Sequence, residues 1–391
     1  MTPIEGLDDD ALLALSRQTD EVGVVSIYAN ADPGQGPNLE GVAIDLSNRL
    51  RDLERRVADE GPPQRARSVS AGIERLALEV ERLTAPGERG RGRVVFAALG
   101  RDWVARFASP LPLSNRVVLD DGPFIHPLLE LVDEGLPAGV VIASPDEVRL
   151  LEWRLGEMRQ LSRIEPDEVE APHERAGQIG GGPSGRFDTP VREQRQARER
   201  DRTARFLDGV TSVAARLAGE RQWERLLVSG GERWTEPIAA GLPESLRERV
   251  VTDTRVLSGL TDAALAAAVT ERLHAEHVNS QRELLVQVRD AGLSGAGALG
   301  LSEVVAALNV GRVATLVYDP EIRYVGSVGA DGHLYAGEES RAGGSPATPE
   351  PRLTERLVER ALETGARVRP VEGAAAGVLQ DAKGIAALLR W

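Results

Sequence analysis

The apolar residues of this chain change period as it proceeds, and the changes mark out alternating strands and helices. Residues 22–28 are β-rich and predict a strand, whereas apolar positions over 42–57 recur at helical spacing. A second helix is predicted over 64–84. Beyond Pro86 and Gly87-Glu88-Arg89-Gly90-Arg91-Gly92, two short strands at 94–99 and 103–108 flank Gly100-Arg101-Asp102, the composition of a hairpin turn. The Gly-rich stretch at 88–93 itself reads as a solvated connector. A further hairpin is predicted from 140–143, turning at Ser144-Pro145-Asp146 and returning through Val148, Leu150, Leu151, Trp153 and Leu155. A long helix over about 190–218 follows, with Phe206, Leu207, Val210, Val213, Ala214 and Leu217 near helical spacing. After it come a strand at 226–229, helices within 232–248, a strand at 250–253 and a helix over 261–290. The last hundred residues predict a helix at 301–308, strands at 313–318 and 324–328, a Gly-, Ser- and Pro-rich loop over 337–351, a helix at 352–364 and a strand at 367–371.

Strands alternating with helices in this way predict a mixed α/β and α+β protein. With 391 residues the chain has room for three cores. The expected division is an α+β domain at 1–132, an α/β domain at 133–272, and a second α/β domain at 273–391 entered through a connecting helix. Composition narrows the chemistry. The absence of cysteine excludes disulfides, thiolate metal sites and thiol nucleophiles. No run reaches the length of a membrane span, and the N-terminus is acidic without an apolar core, so a cytoplasmic protein with no membrane partner is expected.

The hydrophobic pattern stops between Arg163 and Arg205. There the chain runs through Ala176-Gly177-Gln178-Ile179-Gly180-Gly181-Gly182-Pro183 into a helix crowded with Arg192, Arg195, Arg198, Arg200, Arg202 and Arg205. Consecutive glycines cannot build a core and lose much conformational entropy when ordered, which points to an external partner for this loop. A basic element on a chain of net charge −14 points to a polyanion. The competing reading is a solvated helical face, the usual fate of a charge run. The helix's polar first turns and apolar later turns predict that its N-terminal half projects while its C-terminal half packs.

Other patterns are weaker. Gly295, Gly297 and Gly300, with Asp319 about twenty residues on, imitate a dinucleotide-binding fingerprint, but no strand directly precedes the first glycine and a connector is expected. His274 and His277 lie three apart beside Glu271 and Glu276; a solvated helical face is favoured over a metal site. His126, His173 and His333 are scattered. There is no nucleophile elbow or Walker loop, and no metal or cofactor is expected.

A Gly-Gln loop leading into a long helix in the middle of three domains resembles the archaeo-eukaryotic class-1 release-factor superfamily, with its Pelota-, Vms1- and Balon-like branches. The likeness is carried by Gly139-Val140-Val141-Ile142-Ala143 through Phe206-Leu207, by Leu301 to Leu308 with Val313 to Val317, and by the ending from Lys383 to Trp391. It implies binding at the ribosomal A site, with rRNA and tRNA within reach, and no role on DNA. It also implies RNA contacts from the loop over 174–189 and the helix after it: Arg175, Gly180, Gly181, Gly182, Arg186, Arg192, Arg195, Arg198 and Arg202. Release factors carry Gly-Gly-Gln at the loop tip; here the run is Ala176-Gly177-Gln178. In a hydrolase of peptidyl-tRNA, Gly177 and Gln178 would be the catalytic pair, positioning water and stabilising developing charge. In a Balon-like occupant of idle ribosomes, the glycines at 180–182 would form the tip. The resemblance further implies a protein partner for the last domain, elongation factor Tu or the stalk base of the large subunit. Stop-codon-reading motifs are missing, which argues against codon-specific termination.

Overall fold

The computed structural model describes residues 1–4, 7–34, 38–166, 191–337, 347–371 and 373–391, with 191–199, 373–375 and 378 described by backbone alone. It divides into two compact units, one made of Met1–Gly135 with His274–Trp391 and the other of Leu136–Leu273. The fold is mixed α/β.

The first unit begins with β1 (Thr2–Pro3), α1 (Asp9–Ser16), β2 (Val24–Asn30), α2 (Leu39–Glu60), α3 (Pro63–Arg75), α4 (Ala77–Leu83), β3 (Gly92–Ala98), β4 (Val104–Ser109), β5 (Arg116–Asp120) and α5 (His126–Glu134). The strands form one sheet ordered β1-β4-β3-β2-β5, antiparallel except where β1 meets β4. Alternate residues of β2 and β3, namely Val25, Ile27, Val95 and Ala97, pack beneath Val42, Leu46 and Leu50 of α2. The predicted helix over 64–84 is in fact two. Leu76 stands between α3 and α4, and its N–H reaches back only three residues to the Ile73 carbonyl, a tight turn that redirects the chain so that Val80 and Leu83 stay buried. The connector at 88–93 is also less solvated than expected. Arg93 is buried and donates to the carbonyls of Leu83, Ala85, Glu88 and Gly90, so one guanidinium pins the loop.

The second unit contains β6 (Ala138–Ala143), β7 (Val148–Arg154), β8 (Glu157–Ile164), α6 (Val191–Arg221), β9 (Arg225–Ser229), α7 (Glu232–Gly241), α8 (Glu244–Arg247) and β10 (Val250–Asp253). Its sheet runs β10-β9-β6-β7-β8; the first three strands are parallel and the last three antiparallel. The apolar pattern does not predict strand β8. The turn into it is Leu155-Gly156 with φ of 51° and 86°, a left-handed pair whose first residue is not one of the usual turn formers. Two tryptophans lock this unit. Trp153 donates its Nε1–H to Thr270 Oγ1 at 2.9 Å, and the Trp223 ring lies so close to β6 that a Cβ on Gly139 would sit 2.1 Å from its Cε3. Gly139→Ala is therefore expected to cost about 1–3 kcal/mol, through a forced shift of ring or strand. Denaturant unfolding checks this, and unchanged stability would contradict the packing.

Helix α9 (Asp262–Ser294) contributes residues to both units. The remainder of the first unit is β11 (Gly297–Leu299), α10 (Leu301–Asn309), β12 (Val313–Tyr318), β13 (Gly326–Val328), β14 (Leu334–Ala336), β15 (Thr348–Glu350), α11 (Leu353–Glu363), β16 (Arg367–Pro370), a 3₁₀ stretch over Gly373–Ala382 and β17 (Ile385–Leu389). One sheet is ordered β11-β17-β12-β16, and a small one β14-β13-β15. The glycines at 295–300 flank a strand rather than a connector: Gly297 to Leu299 pair antiparallel with Leu388 to Ala386.

The early and late segments of this unit share buried polar contacts. His126 Nδ1 shares a hydrogen bond with the Tyr318 hydroxyl, and its ring lies edge-on to Phe124 and Tyr318 at 4.6 and 5.4 Å. Burial, followed by the charges of Arg116 and Arg352, drives the imidazole down to about 3, so it is neutral at physiological pH. Arg369 Nη1 lies 2.8 Å from Asp133 Oδ2.

Candidate nucleic-acid interface

Helix α6 is the element on which the candidate site depends. Its 31 residues correspond to a rod of roughly 46 Å. The C-terminal half is fixed by packing: Val210, Ala214, Leu217 and Ala218 are buried against Val141, Leu150 and Val228 of the sheet. Phe206 packs edge-on to Trp234 at 6.3 Å and is the last ring of that core towards the N-terminus. Ahead of it, Arg200, Asp201, Arg202, Ala204 and Arg205 are exposed. The amphipathic change within one helix thus divides it into a packed half and a half whose described residues face solvent.

Helical spacing sorts the arginines. At about 100° per residue, positions 195, 198 and 202 fall within roughly 60° of one another, and position 205 extends that stripe. Position 200 lies on the opposite side. Arg205 donates from Nε to the Asp201 carbonyl one turn back, which aligns it along the helix. Further on, Arg216 is taken up by Glu220 at 2.9 Å.

Arg202 is the one predicted RNA-contact residue with a described side chain, and it lies on the exposed half of α6. Arg192, Arg195 and Arg198 belong to the same helix by backbone. Arg175, Gly177, Gln178, Gly180, Gly181, Gly182 and Arg186 lie outside the described residues. The described chain leaves the sheet at β8 and re-enters at α6. The Arg163 side chain near the end of β8 pairs with Glu147 and Glu165, at 2.5 and 3.0 Å.

The two helical histidines do not share a solvated face. His277 is buried, with Asp133 Oδ2 3.8 Å from its Nδ1 and Gln281 Nε2 3.2 Å from its Nε2. His274 is exposed and meets Glu134 at 2.8 Å. Each ring thus has its own carboxylate on α5, a packing signal that reading α9 alone could not provide. Among the described residues no group of three or more His, Cys, Asp or Glu is placed to hold a metal ion, and no helix is long and apolar enough to cross a membrane.

Residues 123–278, which include β8, α6 and all that lies between them, match the model of bacterial archaeo-eukaryotic release factor family 10. No curated protein matches. Among solved structures, the archaeal translation termination factor aRF1 is 18% identical over 98% of this chain and 96% of its own, with a TM-score of 0.25. The S. cerevisiae protein Dom34, described as a translation termination-like factor involved in RNA quality control and interacting with Hbs1, is 10% identical over 77% of this chain and 79% of its own, with a TM-score of 0.39. Archaeal Pelota, from a ribosome-bound assembly with ABCE1, is 18% identical over 77% of both chains, with a TM-score of 0.39. Over residues 123–278 the chain is therefore similar to the bacterial members of the archaeo-eukaryotic release factors.

Proposed function

We propose that this chain is a ribosome-binding translation factor of the cytoplasm that occupies the A site of idle or stalled ribosomes. In this reading the Gly-rich segment at 174–189 is directed towards the peptidyl transferase centre, and the stripe at 195, 198 and 202 runs along rRNA phosphates. The domain at 1–132 faces the decoding site, the one at 133–272 carries the loop, and the one at 273–391 meets a protein partner, elongation factor Tu or the stalk base. The observation that carries the reading is the family match across 123–278, because it spans the Gly-rich segment together with the basic helix that follows it. Arginine suits such a role: its planar fork holds phosphate oxygens in pairs, and its charge does not titrate.

A second reading rests on Ala176-Gly177-Gln178 within the same matched span. A glutamine beside a flexible glycine can place a backbone N–H and an amide near an ester carbonyl, where they would orient water and stabilise the oxyanion. Single-turnover hydrolysis of peptidyl-tRNA on 70S ribosomes with an empty A site, with co-sedimentation followed in the same samples, separates the two. Binding without release is expected for an occupant of idle ribosomes. Release that Gln178→Ala reduces by about 100-fold or more, while binding is retained, would make the chain a hydrolase. Absence of binding would overturn both.

A further inference from the structure

The sheet of the first unit ends in an open strand. β5 pairs with β2 along one side, and among the described residues no strand pairs with its other side. Its sequence, Arg116-Val117-Val118-Leu119-Asp120, contains no proline, and its register against β2 runs without a bulge. Proline, bulges and inward charges are the usual devices that keep an edge from pairing, and the apolar centre of β5 has none of them. On that side an extended peptide would meet the strand's outward-facing N–H and C=O groups at alternate residues, with no described strand in between.

A groove of about 680 Å³ lies against this edge, between β5, the end of α2, the start of α3 and the turn after β12. Part of its floor is apolar, from Leu53 and Val57 of α2 with Val117 and Leu119 of β5, all partly or fully buried in the sheet's core. Its rim is basic. Arg56, Arg65, Arg116 and Arg323 line it against only Glu60 and Glu321, an excess of positive charge on a chain of net charge −14. Two of the four are engaged: Arg116 pairs with Glu321 at 3.2 Å, and Arg323 with Asp120 at 3.2 Å. Arg56 and Arg65 are exposed and form no ion pair with a described residue.

We propose that this groove binds an extended acidic peptide, which adds to β5 as a further strand, sets small apolar side chains on the floor and presents carboxylates to Arg56 and Arg65. Nucleic acid suits the groove less well. Among the described lining residues there is no aromatic ring on which a base could stack, and a strand edge offers its donors and acceptors at a peptide's spacing. No residue of α6 lines the groove, so the assignment does not rest on the basic helix.

The test uses the full-length chain and a fluorescein-labelled peptide of sequence Glu-Val-Asp-Val-Glu-Val-Asp, followed by anisotropy. Saturable binding is expected, with no binding of the counterpart in which lysine replaces each acid. Reversing both rim charges that form no ion pair with a described residue, Arg56→Glu with Arg65→Glu, should weaken binding by about tenfold or more. N-methylating alternate peptide residues should abolish binding in one register and spare it in the other, a signature that only backbone pairing produces. Failure to bind the acidic peptide, or equal affinity for both N-methylated registers, would overturn the proposal. So would tighter binding of an oligouridylate that displaces the peptide and depends on the same two arginines.

Discussion

Replacing Arg195, Arg198 and Arg202 by glutamate together is expected to weaken ribosome co-sedimentation by about 100- to 1,000-fold at low salt and to flatten its salt dependence. By helical spacing the three positions share one stripe of α6, so a single polyanionic surface would meet all three. Each arginine–phosphate pair that is broken removes roughly 1 kcal/mol and lowers the slope of log K against log salt by about 0.7–0.9, so the slope should fall by roughly 2–3. Arg200→Glu is the internal control. It alters the same helix on the opposite side and should change affinity by less than about fivefold. The substituted positions lie ahead of the packed segment that begins near Phe206, so the fold should tolerate them. Equal losses from the triple variant and the control would mean that net charge, rather than a face of α6, governs binding. Unchanged co-sedimentation of the triple variant would remove the helix from the interface.

The first unit is expected to lose stability steeply as pH falls from about 6.5 towards 3, and His126 to account for much of that loss. In the folded chain its imidazole is held at about 3, because it is buried against Tyr318 with Arg116 and Arg352 nearby. In the unfolded chain it titrates at its ordinary value of 6.5. Between these limits the unfolded state takes up a proton that the folded state refuses, so the stabilisation is complete above 6.5 and is lost on acidification. The slope is about 1.4 kcal/mol per pH unit, or roughly 2–3 kcal/mol between pH 6.5 and 4.5. This window lies above the carboxylates at Asp32 and Glu79, which Arg91 and Arg106 hold below their usual range and whose contribution is lost only at lower pH. His126→Gln keeps a partner for the Tyr318 hydroxyl but cannot be protonated. Urea unfolding at the two pH values should show the wild type losing about 2–3 kcal/mol more than the variant. Parallel losses would show that protonating His126 is not what the acid-induced opening requires.

Much of this protein is legible from periodicity because most of its elements are amphipathic on their own. In α2, Val42, Leu46, Leu50 and Leu53 recur at helical spacing, and the same four residues are the ones buried. In α6 the change from arginine to apolar positions is written along the helix and needs no partner to be seen. The elements that periodicity misses carry weak local signals. β8 is an edge strand of mixed polar and apolar residues reached through a Leu-Gly turn, and β11 is three residues among glycines. Such segments are strands because a neighbour supplies the other half of their hydrogen bonds, and for β11 that neighbour is distant in sequence: Ala298 pairs with Ala387.

Sequence alone determined the alternation of helix and strand, the Gly-rich interruption with its basic helix and the resemblance to release factors, all of which depend on residue type and spacing within a short window. Tertiary structure decided which solitary groups are buried. His277 and His274 are three residues apart on one helix, yet one is enclosed and the other open, each set against a carboxylate of α5. Arg93 sits in a run that reads as solvated, but four carbonyls converge on it. His126 becomes a neutral core residue only because Tyr318, nearly two hundred positions away, closes over it. Burial and charge pairing are properties of what the fold brings close, and contacts across such separations leave no periodic trace in the chain that makes them.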